Sequence, residues 1–316
     1  MRSEVVRLEA SKVLPHHRQR RSQFESHYES DTGTLWGYMN QPVGTPCFNL
    51  GLLGDIRAHD NALAVNEGRV SHNGEMRDVN FYVLGSRTPD VFNLGGDLAL
   101  FVLLIKSRER EALAHYAKLC IDNMYPRIRN FFTDKMITVS LVQGDALGGG
   151  LETALSSDVI IAEEGANMGL PEILFNLFPG MGACSLLARR IGLRAAEELI
   201  TSGRIMPAAK LHEMGVIDIL VKKGEGEAAT RNWIAKNAKR RNALQSIYAA
   251  RQHVHPIERA ELDNITNLWV DAALRLGDRD LKMMGRIVRA QLRRMESEPI
   301  ALPTAVAQDV AISRGA

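Results

Sequence analysis

The sequence predicts an α/β fold that gives way to an α-helical region toward its carboxyl end. From Thr34 onward, short apolar runs of strand length, punctuated by Gly and Pro, alternate with segments of helical periodicity. After "VIDILVKKGEGEAA" the strand-like runs cease and long helical patterns follow, so a boundary is expected near Gly224.

In chain order, residues 1–30 are polar, mixed in charge and without sustained periodicity, and are expected to form a mobile or weakly docked arm. The runs "NFYVLGS", "VFNLGGD", "ITVSLVQG" and "DVIIAEE" read as buried strands. "REREALAHYAKLCIDNMYPRIRNFF" keeps helical spacing despite Pro126, and "CSLLARRIG", "RAAEELITSG" and "PAAKLHEMG" read as short helices that stop at glycine. The expected organisation is an arm over 1–30, a core over 31–224 and a helical region over 225–316. That last region carries the basic clusters "KNAKRR" and "RIVRAQLRR", which suit a solvated helix face or the docking of an acidic partner.

Composition excludes several classes. At 316 residues and 45% hydrophobic content the chain can bury a sizeable core. A net charge of +2 offers no basic domain for nucleic acid. The 3 cysteines are widely spaced and odd in number, so neither a disulfide framework nor a zinc cluster is expected; a reducing, cytoplasmic setting fits, with no metal or cofactor. The longest apolar run, Leu98 to Ile105, is far short of the roughly 18 to 20 residues a membrane helix needs, and the amino terminus lacks the apolar core of a secretory signal.

The chemistry concentrates in "ITVSLVQGDALGGGLETALSS", which reads as a strand, a glycine turn and a helix beginning near Gly149. Gly148, Gly149 and Gly150 weaken backbone order, a cost accepted where backbone approaches closely or adopts unusual dihedrals. The start of a helix offers unpaired N–H groups that suit an anion. "GDALGGG" fits neither GxxxxGK[ST] nor GxGxxG, and no lysine follows to reach a phosphate, so the oxygen of a reacting carbonyl becomes the candidate. "VFNLGGDLALF" repeats the strand–glycine–helix context, and two such turns brought together can each aim one N–H at a single oxygen. Either turn alone is an ordinary tight connection. Glu152 falls in the first turn of the proposed helix, and Glu172 follows Pro171 twenty residues later. Two carboxyls at one site can divide proton-donating and proton-accepting roles. Taken singly, each reads as a surface acid or helix-start charge, as do Glu163 and Glu164.

"GDALGGGLE", then "LPEILFNLFPGMG", with "FNLGGD" upstream and "SGRIMPAAKLHEMGVID" downstream, resembles the crotonase (enoyl-CoA hydratase/isomerase) superfamily from about Phe81 to Val221. The resemblance implies repeated ββα units forming a spiral core, and trimers or pairs of trimers. It implies oxyanion-hole amides from Gly96 and Gly149 and catalytic carboxyls at Glu152 and Glu172. Asp97 and Asp158 also match, as residues that cap and orient backbone.

Three further segments, "WGYMNQPVGTPCFNLGLLGDIR", the long helical stretch between Asp97 and Met136, and "ITNLWVDAALRLGDRDLKMMGRIVRAQ", resemble the diffusible-signal-factor synthase family. That resemblance implies dehydration of a 3-hydroxyacyl group on acyl carrier protein, or on coenzyme A, to a cis-2-enoyl thioester, then hydrolysis to the free acid. Glu172 would take the C2 proton and Glu152 would serve the hydroxyl. Leu147, Met181 and Trp269 match positions lining an acyl pocket, with the helical tail as lid and trimerisation element, although each alone reads as ordinary core. The family also implies control by a membrane sensor kinase. Rival expectations are an enoyl-CoA hydratase of fatty-acid breakdown and a non-catalytic binding protein on the same scaffold.

Overall fold

The computed structural model describes residues 21–41 and 43–297; residues 1–20 of the expected arm, and the tail from 298, lie outside the described residues. Phe81–Ser86, Ile137–Val142 and Val159–Glu163 are buried at every position, because they are parallel strands covered on both faces. They sit in a six-stranded sheet ordered Phe24–Glu29, Thr34–Met39, Phe81–Ser86, Ile137–Val142, Val159–Glu163, Ile219–Val221. Every neighbouring pair is parallel except the first.

A second, four-stranded sheet runs Ile205–Pro207, Asn167–Gly169, Asp145–Leu147, Val91–Asn93, and its last three strands are parallel. Three times the chain goes from the large sheet to the small one and then into a helical turn. Phe81–Ser86 and Val91–Asn93 lead to the helix Leu98–Lys106, Ile137–Val142 and Asp145–Leu147 to the helix Gly149–Leu155, and Val159–Glu163 and Asn167–Gly169 to the 3-10 turn Pro171–Phe175. This is the ββα spiral expected from the sequence. Because the short strands lie side by side and parallel, the turns that leave their carboxyl ends emerge at one edge.

Within the stretch expected as a mobile or weakly docked arm, Phe24–Glu29 forms a strand. It is an edge strand paired antiparallel with Thr34–Met39, and its inner residue Phe24 packs where Gly37 leaves room. Phe24 is its one buried residue, so its sequence carries little apolar signal.

The helices Gly226–Ala238, Arg241–Val254, Arg259–Ala273 and Asp278–Ser297 follow the last strand. Leu262, Trp269, Val270, Leu281 and Met284 join the same apolar cluster as Phe101, Tyr116 and Met181, while Ile234 packs on the other face of the large sheet. Full burial of side chains such as Leu262 and Met284 is worth about 1.5–3 kcal/mol each, which holds this region on the core. Glu163, expected as a surface acid, is buried: its carboxyl accepts from Gly224 N at 2.8 Å and Gly226 N at 2.9 Å and ties down the turn into these helices. Among the described residues, no helix is long and apolar enough to cross a membrane.

Candidate active site

The two glycine turns meet backbone to backbone. Asn93 Oδ1 accepts from Gly95 N at 2.8 Å and bends the chain as it leaves Val91–Asn93. Gly95 has φ +94°, and a Cβ there would lie 2.7 Å from Leu147 O and 3.2 Å from Gly149 N, so glycine alone permits the approach. Asp97 caps the following helix through Leu100 N at 3.0 Å. Tyr116 pins the turn from the far side: its hydroxyl donates to Phe48 O at 2.5 Å and accepts from Asp97 N at 3.2 Å. In the second turn Gly149 opens the helix Gly149–Leu155, so its N–H has no acceptor within that helix.

Both glutamates reach the same edge. Glu152 is 2% exposed, and its Oε1 accepts from Met181 N at 2.8 Å and Ala183 N at 3.0 Å. Burial pushes its carboxyl up to about 7 against the opposing pull of those two N–H groups. Glu172 stands on the 3-10 turn after the third short strand, with Pro171 at its start. Burial pushes Glu172 up to about 8, and the neighbouring Glu152 carboxylate adds to the rise. Its Oε2 is enclosed and has no hydrogen-bond partner. Two buried carboxyls that repel each other titrate as a pair and hold one proton between them near neutrality.

Gly96, Gly149, Glu152 and Glu172 line one cavity. Met181 and Trp269 line it as well. Trp269 packs on Phe101, ring centroids 5.1 Å apart, and against Gly180, where a Cβ would come within 2.3 Å of its ring. Leu147 is the exception: it is not among the lining residues, and its backbone carbonyl faces Gly95 instead. A strand residue directs its side chain to one face only, and at Leu147 backbone is what the turn requires.

Sequence reasoning missed the walls. Tyr116, Cys120, Asn123, Met124 and Arg127 line the cavity from the helix Arg110–Ile128, and Leu53, Ile56 and Asp60 from the helix Leu50–Val65. Their spacing of three and four residues was a readable signal of one helix face, though nothing in it announces a cavity rather than core. Asp158, expected to orient backbone, accepts from Thr138 N at 3.0 Å and pairs with Arg251 at 2.7 Å, away from the cavity. Among the described residues no group of three or more His, Cys, Asp or Glu is placed to hold a metal ion.

The chain matches the family described as Enoyl-CoA hydratase/isomerase over residues 73–267. It is 33% identical over 190 residues to the fatty acid oxidation complex subunit alpha of Pseudomonas syringae pv. tomato, a match covering 60% of this chain and 26% of that protein. It is 32% identical over 203 residues to the mitochondrial methylglutaconyl-CoA hydratase of Mus musculus, covering 62% of this chain and 60% of the relative. It therefore spans only part of the length of either. Among solved structures, Pseudomonas aeruginosa DspI aligns with a TM-score of 0.60 at 24% identity, covering 89% of this chain and 98% of that one. An enoyl-CoA hydratase from Bacillus anthracis aligns with a TM-score of 0.62 at 20% identity, covering 85% and 97%. Both share the fold.

Proposed function

The chain belongs to the enoyl-CoA hydratase/isomerase family, and on that premise we propose that it dehydrates a 3-hydroxyacyl thioester to a cis-2-enoyl thioester and then hydrolyses it, releasing a free acid of the diffusible-signal-factor type. The observation that carries the reading is the convergence of Glu152, Glu172, Gly96 and Gly149 on one cavity.

The thioester oxygen sits between the N–H groups of Gly96 and Gly149, which stabilise the negative charge that builds as the C2 proton leaves. Glu172, with an unpartnered Oε2, takes that proton. Glu152 gives its proton to the 3-hydroxyl, the C3–O bond breaks and water departs. In the second step water attacks the carbonyl carbon, the C–S bond breaks, and the proton lost by water goes by way of a carboxylate to the departing thiol. The acyl chain lies against Phe101, Met181 and Trp269, all lining residues. The helix Asp278–Ser297 packs against both Leu98–Lys106 and Pro171–Phe175, and its exposed Lys282, Arg286 and Arg289 suit an acidic carrier protein near the mouth.

A second reading, hydration of an enoyl-CoA, has its own support. The two N–H groups on Glu152 favour its charged form, leaving the shared proton on Glu172, and that is the state that adds water across the double bond. The methylglutaconyl-CoA hydratase relative points the same way.

The test is to supply purified protein with a 3-hydroxyacyl-acyl carrier protein and, separately, an enoyl-CoA, and to identify products by mass spectrometry. Free cis-2 acid from the first is expected. Hydration of the second with no free acid from the first would replace this reading by the hydratase one. Full product formation by both Glu152→Ala and Glu172→Ala would remove the two carboxyls from the reaction, and no product from either substrate would leave a binding protein on this scaffold.

A further inference from the structure

The cavity has a reactive end and a distant one, and the two can be laid out along helices. Gly149, Glu152, Thr153 and Ser156 line it from one face of the helix Gly149–Leu155 and the residue that follows. Tyr116, Cys120, Asn123 and Arg127 line it from the helix Arg110–Ile128. Tyr116 is at the first glycine turn, since its hydroxyl binds Phe48 O and Asp97 N. At 1.5 Å of rise per residue, Asn123 lies about 10 Å along the helix from Tyr116.

At that distance from the glycine turns the wall turns polar. Asp60 Oδ1 accepts from the Tyr82 hydroxyl at 3.1 Å and contacts His59 Nδ1 at 2.9 Å. Arg127 donates to Val139 O at 3.0 Å and Ser157 Oγ at 3.1 Å, and its guanidinium lies 4.7 Å from the centre of the Tyr82 ring. Ser156 Oγ donates to Thr153 O at 2.7 Å. Each of these side chains has protein partners. Asn123 differs: it is 7% exposed, its Nδ2 donates to Leu53 O at 3.1 Å, and its Oδ1 has no hydrogen-bond partner.

Among the described residues lining the cavity, the buried side-chain acceptors without a partner are Asn123 Oδ1 and Glu172 Oε2. Glu172 is accounted for by the C2 proton. Asn123 stands a helical turn beyond Cys120, the residue of its helix that feels the Glu152 carboxylate, and an enclosed acceptor left facing alkyl carbon is costly.

We propose that Asn123 Oδ1 is a second polar subsite of the cavity, which accepts a hydrogen bond from a hydroxyl carried on the distal part of the acyl chain. The substrate class it selects is a distally hydroxylated acyl thioester, and a plain alkyl chain of the same length fits less well. The subsite rests on the acyl-thioester reading only in placing the carbonyl at the glycine turns. It does not depend on whether that site dehydrates, hydrates or merely binds.

The experiment measures binding without turnover. Saturated acyl-pantetheine thioesters of one chain length, plain and with a hydroxyl moved stepwise along the distal half, are titrated calorimetrically into the wild-type protein and into Asn123→Leu, which keeps the branched shape and removes the acceptor. For the wild-type protein the affinity should peak at one hydroxyl position, about tenfold above the plain chain. In Asn123→Leu that peak should vanish while the plain chain binds at least as well. Equal wild-type affinity for plain and hydroxylated chains, a flat response to hydroxyl position, or no measurable binding of any hydroxylated member overturns the subsite. The wild-type series decides even where the variant fails to fold. Turnover of a 3-hydroxyacyl thioester, followed in parallel, keeps the two readings apart: a hydroxyl preference without turnover removes the reaction and leaves the subsite, and turnover without a preference does the reverse.

Discussion

The carboxyl of Glu172 lies directly over the backbone of Gly148: a Cβ added at Gly148 would sit 2.5 Å from Oε1. Gly148 has φ +52° and donates its N–H to Gly169 O at 2.8 Å, at the base of the turn that carries Glu172. The position demands glycine for conformation and for space at once. Gly148→Ala is therefore expected to destabilise the protein by about 1–3 kcal/mol and to lower kcat more than it raises KM. Chemical denaturation and steady-state kinetics check it; an alanine variant with wild-type kcat would mean that Glu172 does not need this seat.

Glu152 and Glu172 are each expected to be indispensable. Glu152→Gln and Glu172→Gln keep shape and remove the proton-transfer group, so kcat should fall by about 10²–10⁴ for each. The double variant should cost little more than the worse single one, because the pair acts as a unit. Stopped assays analysed by mass spectrometry measure both.

The pair also sets a pH profile. Activity needs one proton on two carboxyls pushed up to about 7 and about 8, so kcat/KM should be bell-shaped, falling below about 7 and above about 8. A profile flat from pH 6 to pH 9 would contradict the assignment.

Stability should follow the same groups with a definite sign. Folding raises both values above the ordinary 4.5, so the native state keeps protons that the unfolded chain has released. Their contribution is most favourable below about 4.5 and is lost as pH rises through about 8. Glu172→Gln, which cannot ionise, should melt a few degrees above wild type at pH 8.5 and show a smaller difference at pH 5. Thermal melts of both proteins at the two pH values test it.

Trp269→Ala should cost about 3–5 kcal/mol, since a 2% exposed indole packed on Phe101 and Gly180 leaves a cavity. The emptied wall borders the substrate cavity, so the preferred acyl chain should lengthen or broaden as well. Product lengths identical to wild type would reduce Trp269 to a structural role.

Much of this molecule was legible in the chain itself. Phe81–Ser86, Ile137–Val142 and Val159–Glu163 are continuous apolar runs because parallel strands are buried on both faces, and that signal survives in one dimension. Gly148 and Glu152 stand in one short motif, as do Gly96 and Asp97, so local spacing exposed them. Phe24–Glu29 escaped because an edge strand with one buried residue carries no alternating pattern. Leu147 was assigned to the acyl pocket by its match to a family position, and its side-chain direction depended on a strand register that spacing does not encode.

The sequence by itself determined the ββα alternation, the two glycine turns and the identity of the two acids, because these follow from periodicity, from backbone dihedrals and from residue type. It took the folded arrangement to bring the acids together, to raise both of them by burial and mutual repulsion, and to set Asn123 and Arg127 along the same cavity as Gly149. Those facts depend on which parallel strands lie side by side and which helix faces they cover. Desolvation and charge repulsion act through space, between residues that the chain keeps far apart.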